Sequence, residues 1–293
     1  GLSVSDRPPL HRVLDTAASA GAEVVRWFVL CDGRAGFTVD ASGMPTGLHP
    51  VVLDDMAIAL DTLHAHGLRM VPVLFDFTWA DVRRVVNGVA LGGGAPVLRD
   101  PVARHTLWRA VDDLLVAFGR HPAIAMWDLW NEPEWMTTPW RPPARRLSSA
   151  QLRRCLAELA LHVRWHAVHP ITVGLASAAG LPLCRALDLD VLQVHWYDHL
   201  ERRHPLARCP HVTWSHAPLL LGEYPTRGSA TSPERIIDIA RNAGYAATWP
   251  WSLHADDRCT DNDAALHALQ HGRTQDEGSD RETGNGQPAT GNR

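Results

Sequence analysis

The 293-residue chain contains no lysine: all 28 of its basic residues are arginine. No amine side chain is available for a Schiff base or for the phosphate-gripping lysine of a P-loop, so both chemistries are excluded. No apolar run approaches the roughly 18–20 residues of a membrane span. No secretory h-region opens the chain, and its start at Gly1 rather than methionine leads us to expect a processed or truncated N-terminus. The five cysteines (Cys31, Cys155, Cys184, Cys209 and Cys259) include no CxxC pair and suggest no disulfide framework. No G-x-S-x-G elbow occurs, so serine-hydrolase chemistry has no support. A formal net charge of −4 gives no general attraction to nucleic acid or to an anionic membrane.

What is present is the composition of a globular protein, 45% apolar and 20% charged, long enough for one α/β barrel or two modest domains. Short apolar runs alternate with longer amphipathic ones. The strand candidates are Glu23–Leu30, Arg69–Phe75, Ala123–Trp130, Ile171–Gly174, Val191–Trp196, Leu219–Glu223 and Tyr245–Ser252. They are apolar nearly throughout, as strands buried on both faces are. Asp100-Pro101 caps a helix whose stripe is Leu107, Val111, Leu114, Leu115 and Phe118, with Gly119 at its end. Ser148 and Gln151 form a capping box before a helix reaching about His169. Ser232-Pro233 opens another helix that Gly244 closes, and Val51–His66 is one more, ending at Gly67.

Strand–helix repetition predicts a parallel sheet and a (β/α)8 TIM barrel. The first strand is apparently missing or degenerate, because GLSVSDRP is a poor strand ahead of the helix around His11–Ala20. Residues 1–272 are expected to form the barrel domain. Residues 273–293, without apolar periodicity, are expected to be a disordered tail. The long segments Cys31–Pro50, Phe77–Arg99, Asn131–Leu147 and Tyr197–Pro218 all follow strands, on the face where barrel active sites are built.

Glu132 follows the fourth strand, in "WDLWNEPEW", and Glu223 ends the seventh, in "LLLGEYP". Two carboxylates facing each other across the barrel mouth suit retaining glycoside hydrolysis, in which one attacks and the other donates a proton. The neighbouring indoles exclude water, raise the acid's pKa and offer flat faces to sugar rings.

"WNEP" and "GEYP" at this spacing resemble the acid/base and nucleophile strands of the retaining (β/α)8 clan of family 5 cellulase-like hydrolases and β-mannanases. The resemblance covers roughly residues 10–270. It implies Glu132 as acid/base, Glu223 as nucleophile and Asn131 as a partner of the sugar 2-hydroxyl. It implies Arg26, in "VVRWF", beside the nucleophile and, in "VHWY", Tyr197 touching the nucleophile and His195 lining the subsite of the cleaved sugar. It implies Trp251, in "WPWSLHADD", as a sugar platform. The expected substrate is a β-linked oligo- or polysaccharide of mannan or glucan type, with no cofactor and no metal. A transglycosylase with the same residues, and a barrel that binds carbohydrate without turnover, are the alternatives.

Trp79 and Trp135 are candidate subsite walls, with Trp140, Trp196 and Trp249 as further ones. At least one of Trp127 and Trp130 should be core. Asp128 should make a structural hydrogen bond within the barrel, and Asp76 is either a substrate partner or a loop anchor. Glu134 is expected as a loop charge or substrate contact. His204, Cys209, His211 and His216 fit no common zinc spacing and read as scattered loop residues. "LGGGAP", Leu91 to Pro96, lacks the GK[ST] of a phosphate loop and reads as a flexible loop.

Overall fold

The computed structural model describes residues 7–31, 33, 36–41, 44–86 and 89–284. Seven strands form one sheet in chain order: β1 (Val24–Phe28), β2 (Arg69–Asp76), β3 (Trp127–Asn131), β4 (Ile171–Leu175), β5 (Leu192–His195), β6 (Leu219–Pro225) and β7 (Thr248–Trp251). Every neighbouring pair is parallel. All seven expected strands are therefore present, occupying positions two to eight of a (β/α)8 barrel. Among the described residues no strand precedes the helix α1 (Arg7–Ser19), and most of the segment judged a poor first strand lies outside them.

Burial follows position in the sheet. β3, β4, β5 and β6 are buried at every residue, and β2 at all but Arg69. β1 and β7, at the two edges, are half-buried throughout. Trp127 and Trp130 are both fully buried. One large apolar core joins the strands to α2 (Pro50–Ala65), α3 (Pro101–Phe118) and α4 (Ser149–His166).

The local signals act where expected. The Asp100 carboxylate accepts from the Val102 and Ala103 amides at 2.9 and 2.8 Å, and Pro101 takes the first helical position. Leu107, Val111, Leu114 and Leu115 of α3 are completely buried. The Ser148–Gln151 capping box is closed in both directions, at 3.1 and 2.8 Å. Gly244, at φ 97°, ends α5 (Pro233–Ala243) in a left-handed turn open to glycine.

Two features differ from the sequence reading. The segments after β1 and β2 are not plain loops but contain small antiparallel hairpins, Phe37–Val39 with Pro45–Leu48 and Arg84–Val86 with Val89–Leu91. The long segment expected after β5 is present: among the described residues no α-helix connects β5 to β6, and an irregular run from Glu201 to Pro218 does so. The last helix, α6 (Asn262–Gly284), carries residues 273–284 that were expected to be disordered, while 285–293 lie outside the described residues. Its first half is docked on α5: His271 meets Asp238 at 2.8 Å, and Arg241 donates to the Gly272 carbonyl at 3.2 Å. A helix anchored in this way propagates at little further cost, so periodicity is not needed to extend it. No helix among the described residues is long and apolar enough to cross a membrane.

Removing the α3 cap by Asp100→Ala should lower stability by about 1 kcal/mol. Urea unfolding followed by tryptophan fluorescence would measure it.

Candidate active site

The site is assembled on the C-terminal ends of the strands around one arginine. Arg26, central in β1, points into the barrel. Its Nε donates to Asp128 Oδ2 at 2.9 Å, Nη1 to Glu223 Oε1 at 2.6 Å and Nη2 to Asn131 Oδ1 at 2.8 Å. β3 supplies two of these acceptors and β6 the third. Room for the guanidinium comes from Gly174 in β4, where a Cβ would lie 2.6 Å from Arg26 Nη2. Gly222 in β6 makes room likewise for Gln193, since a Cβ there would lie 2.4 Å from that side chain.

Asp128 has the structural role expected of it. Besides Arg26 it accepts from the amides of Gly174 and Trp130 and, at 3.4 Å, from Gln193. Asp76 proves to be an anchor: it accepts from Asn131 Nδ2 at 2.7 Å and from both the amide and hydroxyl of Thr78. Asn131 is thus held between Arg26 and Asp76, its amide orientation fixed from both sides.

Glu132 leaves regular strand geometry. Its φ of 47° and ψ of 46° are left-handed, a conformation that costs a residue with a Cβ on the order of 1–3 kcal/mol. Its amide bonds the Gly174 carbonyl at 2.6 Å, and its carboxyl accepts from the Trp135 indole at 2.9 Å. Across the mouth, Glu223 accepts from Tyr197 Oη at 3.1 Å. His195 Nδ1 lies between the two carboxyls, 2.9 Å from Glu132 and 3.3 Å from Glu223. Gln193 Nε2, which also faces Asp128, approaches His195 Nε2 at 3.3 Å. That contact makes Nε2 the acceptor and leaves the Nδ1 proton for the carboxyls.

Burial pushes both carboxyls above the usual carboxylate range. Their partners differ. Glu223 has a guanidinium and a phenol in direct contact, whereas Glu132 has only the Trp135 indole in addition to His195. Of the pair, Glu223 is the one better held as an anion and Glu132 the one better held as an acid. Burial brings His195 down to about 4, so it is neutral near pH 7. Burial also raises the Tyr197 phenol, which stays a proton donor. Glu132, His195 and Glu223 bring ligand-type atoms within 4.8 Å of one another, the only such trio among the described residues. The Arg26 cation on Glu223 already supplies the positive charge that a metal would bring.

The aromatic candidates divide. Trp251 ends β7, donates its indole N–H to Asp257 at 2.9 Å and meets Phe28 of β1 edge-on at 6.1 Å. Trp135 lies against Glu132 and walls a cleft of about 260 Å3 with Phe77, Trp140 and Arg141. Trp79, expected as a cleft wall, is only 5% exposed and packs edge-on against Phe37 and Phe75. The backbone at Gly94 lies directly on its ring, so the "LGGGAP" segment is packed rather than loose there. Trp196 is also buried, in the outer layer with Leu206 and Ile236. His204, Cys209 and His211 line a cavity of about 300 Å3 beside Val194 and His195 of β5. Gln193 is the residue that sequence reasoning missed. Its signal was a polar side chain sharing strand parity with His195 in an otherwise apolar run.

Fold and site together define a (β/α)8 barrel with a carboxylate pair at its C-terminal rim. No protein-family model matches the chain, and no curated protein matches it. Solved structures do. An endo-1,4-β-mannanase from Eisenia fetida is 17% identical, with 92% of this chain and 84% of that chain covered and a TM-score of 0.76. The β-mannanase of the blue mussel Mytilus edulis is 20% identical over 91% of this chain and 84% of that one, with a TM-score of 0.72. A GH5_18 protein from Streptomyces cattleya, in complex with Manβ1-4GlcNAc, is 14% identical over 98% and 78% of the two chains, with a TM-score of 0.68. What this chain shares with them at such identities is the fold.

Arg26→Ala would strand Asp128 and Glu223 as unpaired buried acids. It should cost about 3–5 kcal/mol of stability, read by urea denaturation.

Proposed function

We propose that the chain is a retaining glycoside hydrolase acting on β-linked oligo- or polysaccharides of mannan or glucan type, with residues 1–272 as the catalytic unit. One observation carries this reading. A carboxyl oxygen of Glu132 and one of Glu223 lie within 4.8 Å of each other, at the ends of β3 and β6. Double displacement uses a separation of about 5–5.5 Å, whereas inverting enzymes leave roughly 6.5–9.5 Å for a water. The fold shared with β-mannanases supports the same substrate class.

In the first step a Glu223 oxygen attacks the anomeric carbon. The bond to the leaving oxygen breaks, and the Glu132 proton passes to that oxygen. In the second step Glu132, now a carboxylate, takes a proton from water; the water oxygen bonds to the anomeric carbon, and Glu223 leaves. Arg26 and Tyr197 keep Glu223 charged and aimed. Asn131, fixed by Arg26 and Asp76, bonds the sugar 2-hydroxyl. Trp251 offers a face for the ring being cleaved. His195, neutral, links the two carboxyls without adding a charge that would hold Glu132 ionised.

Incubation with 2-deoxy-2-fluoro β-mannosyl or β-glucosyl fluoride should add one sugar mass to Glu223, seen by intact-protein and peptide mass spectrometry. Glu223→Ala should lose turnover by at least about 10^4-fold while remaining folded. Full activity in that variant, or neither adduct nor turnover in the folded wild type, overturns the assignment. Burial also sets a pH signature, because Glu132 must be protonated to act. The falling limb of kcat/KM should lie above the ordinary carboxylate range, and Glu132→Gln should abolish that limb for substrates with activated leaving groups.

A further inference from the structure

Glu134 stands two residues beyond Glu132, in the short turn Pro133–Thr137. Its side chain does not reach toward solvent. Both carboxyl oxygens are sealed from water, and neither makes a well-formed hydrogen bond. They press on the segment that follows β4. A Cβ at Gly180 would lie 2.4 Å from Glu134 Oε1, so glycine there leaves the space that the carboxyl fills. The amides of Ala176 and Ser177 face it from the same segment. The titratable groups around it are Glu132 on its own turn and the Cys184 thiol across the seam. No ion pair reaches it among the described residues.

We propose that Glu134 is a positioning residue, held as a neutral carboxylic acid, that pins the left-handed turn of Glu132 to the segment Ala176–Cys184. An ionised carboxyl in that seam would be a buried charge with no counterion, which proteins avoid by taking up a proton. Burial accordingly raises Glu134 to about 8. A neutral acid beside Glu132 adds no negative charge to it, so the acid/base residue titrates without interference. This catalytic consequence rests on the acid/base role proposed for Glu132; the protonation state and the pinning do not.

The test compares wild type, Glu134→Gln and Glu134→Ala. The native state keeps a proton that the unfolded chain has lost above its ordinary 4.5. Wild-type stability should therefore fall as pH rises from about 4.5 to about 8. Glu132 and Glu223, also raised by burial, add to this slope in both proteins; Glu134→Gln, isosteric and without a titration, should remove the share that Glu134 contributes and be the more stable protein at pH 8. Parallel melting curves for the two across this range overturn the neutral-acid assignment. Hydrogen exchange reads the pinning without reference to activity. Amides of residues 134–138 should exchange faster in Glu134→Ala but not in Glu134→Gln, and unchanged exchange in the alanine variant overturns it. For turnover, Glu134→Gln should keep kcat within about twofold and leave the alkaline limb in place, while Glu134→Ala should lose at least tenfold in kcat with KM nearly unchanged. A downward shift of that limb in Glu134→Gln would mean that Glu134 is charged in the wild type, and would sink the proposal. Failure of the Glu223 adduct in wild type counts separately, against the hydrolase reading alone.

Discussion

Everything at the barrel mouth hangs on one buried cation. Arg26 makes three directed bonds, to Asp128, Asn131 and Glu223, and these reach two other strands of the sheet. A guanidinium suits this because its donors lie fixed in one plane, so their acceptors must lie where the fork points. β1, β3 and β6 are thereby held in a common geometry at their carboxyl ends, although β1 and β6 are not neighbours in the sheet. The same charge offsets two buried acids that would otherwise be untenable. Glycines at 174 and 222 are the steric counterpart of this network, giving up side-chain packing so that polar groups can fill the barrel interior.

The site is also graded. Asp76 and Asp128 are fully engaged and serve to orient others. Glu223 is engaged on both oxygens yet faces the mouth. Glu132 is the least restrained by donors, and it sits on strained backbone. Two carboxyls on one rim thus differ in how firmly each is held as an anion because of their neighbours, not their identity. Glu134 extends the series into the wall, as an acid with no cation and no well-formed hydrogen bond.

Much of this was legible in the sequence because barrels place function by rule. Glu132, Glu223, Asn131 and the His195–Tyr197 pair all lie at the ends of apolar runs, and the end of a strand in such a sheet is the rim. Helix caps were legible because a cap is a local bond between residues at most three apart, as at Asp100 and Ser148. The misreadings fall where the outcome depends on packing between distant segments. Trp79 looks like a cleft wall until Phe37 and Gly94 are brought onto it. Glu134 looks like a loop charge until Gly180 opens a place for it. α6 lacks an apolar stripe in its second half but inherits its course from the docked first half. The run from Glu201 to Pro218, with prolines at 205, 210 and 218, shows no helix period, and none forms there.

The two edge strands meet at an aromatic contact. A barrel closed by a full ring of ladders behaves like a hoop, distributing any outward push around its whole circumference. Here the described strands form an arc, and Phe28 of β1 meets Trp251 of β7 across its opening. Arg26 in turn lies over the Phe28 ring, 5.2 Å from its centre. Trp251, Phe28 and Arg26 thus form one run of contacts from the last strand to the guanidinium that holds Glu223, so the two free edges of the arc meet at the group on which the rim is built.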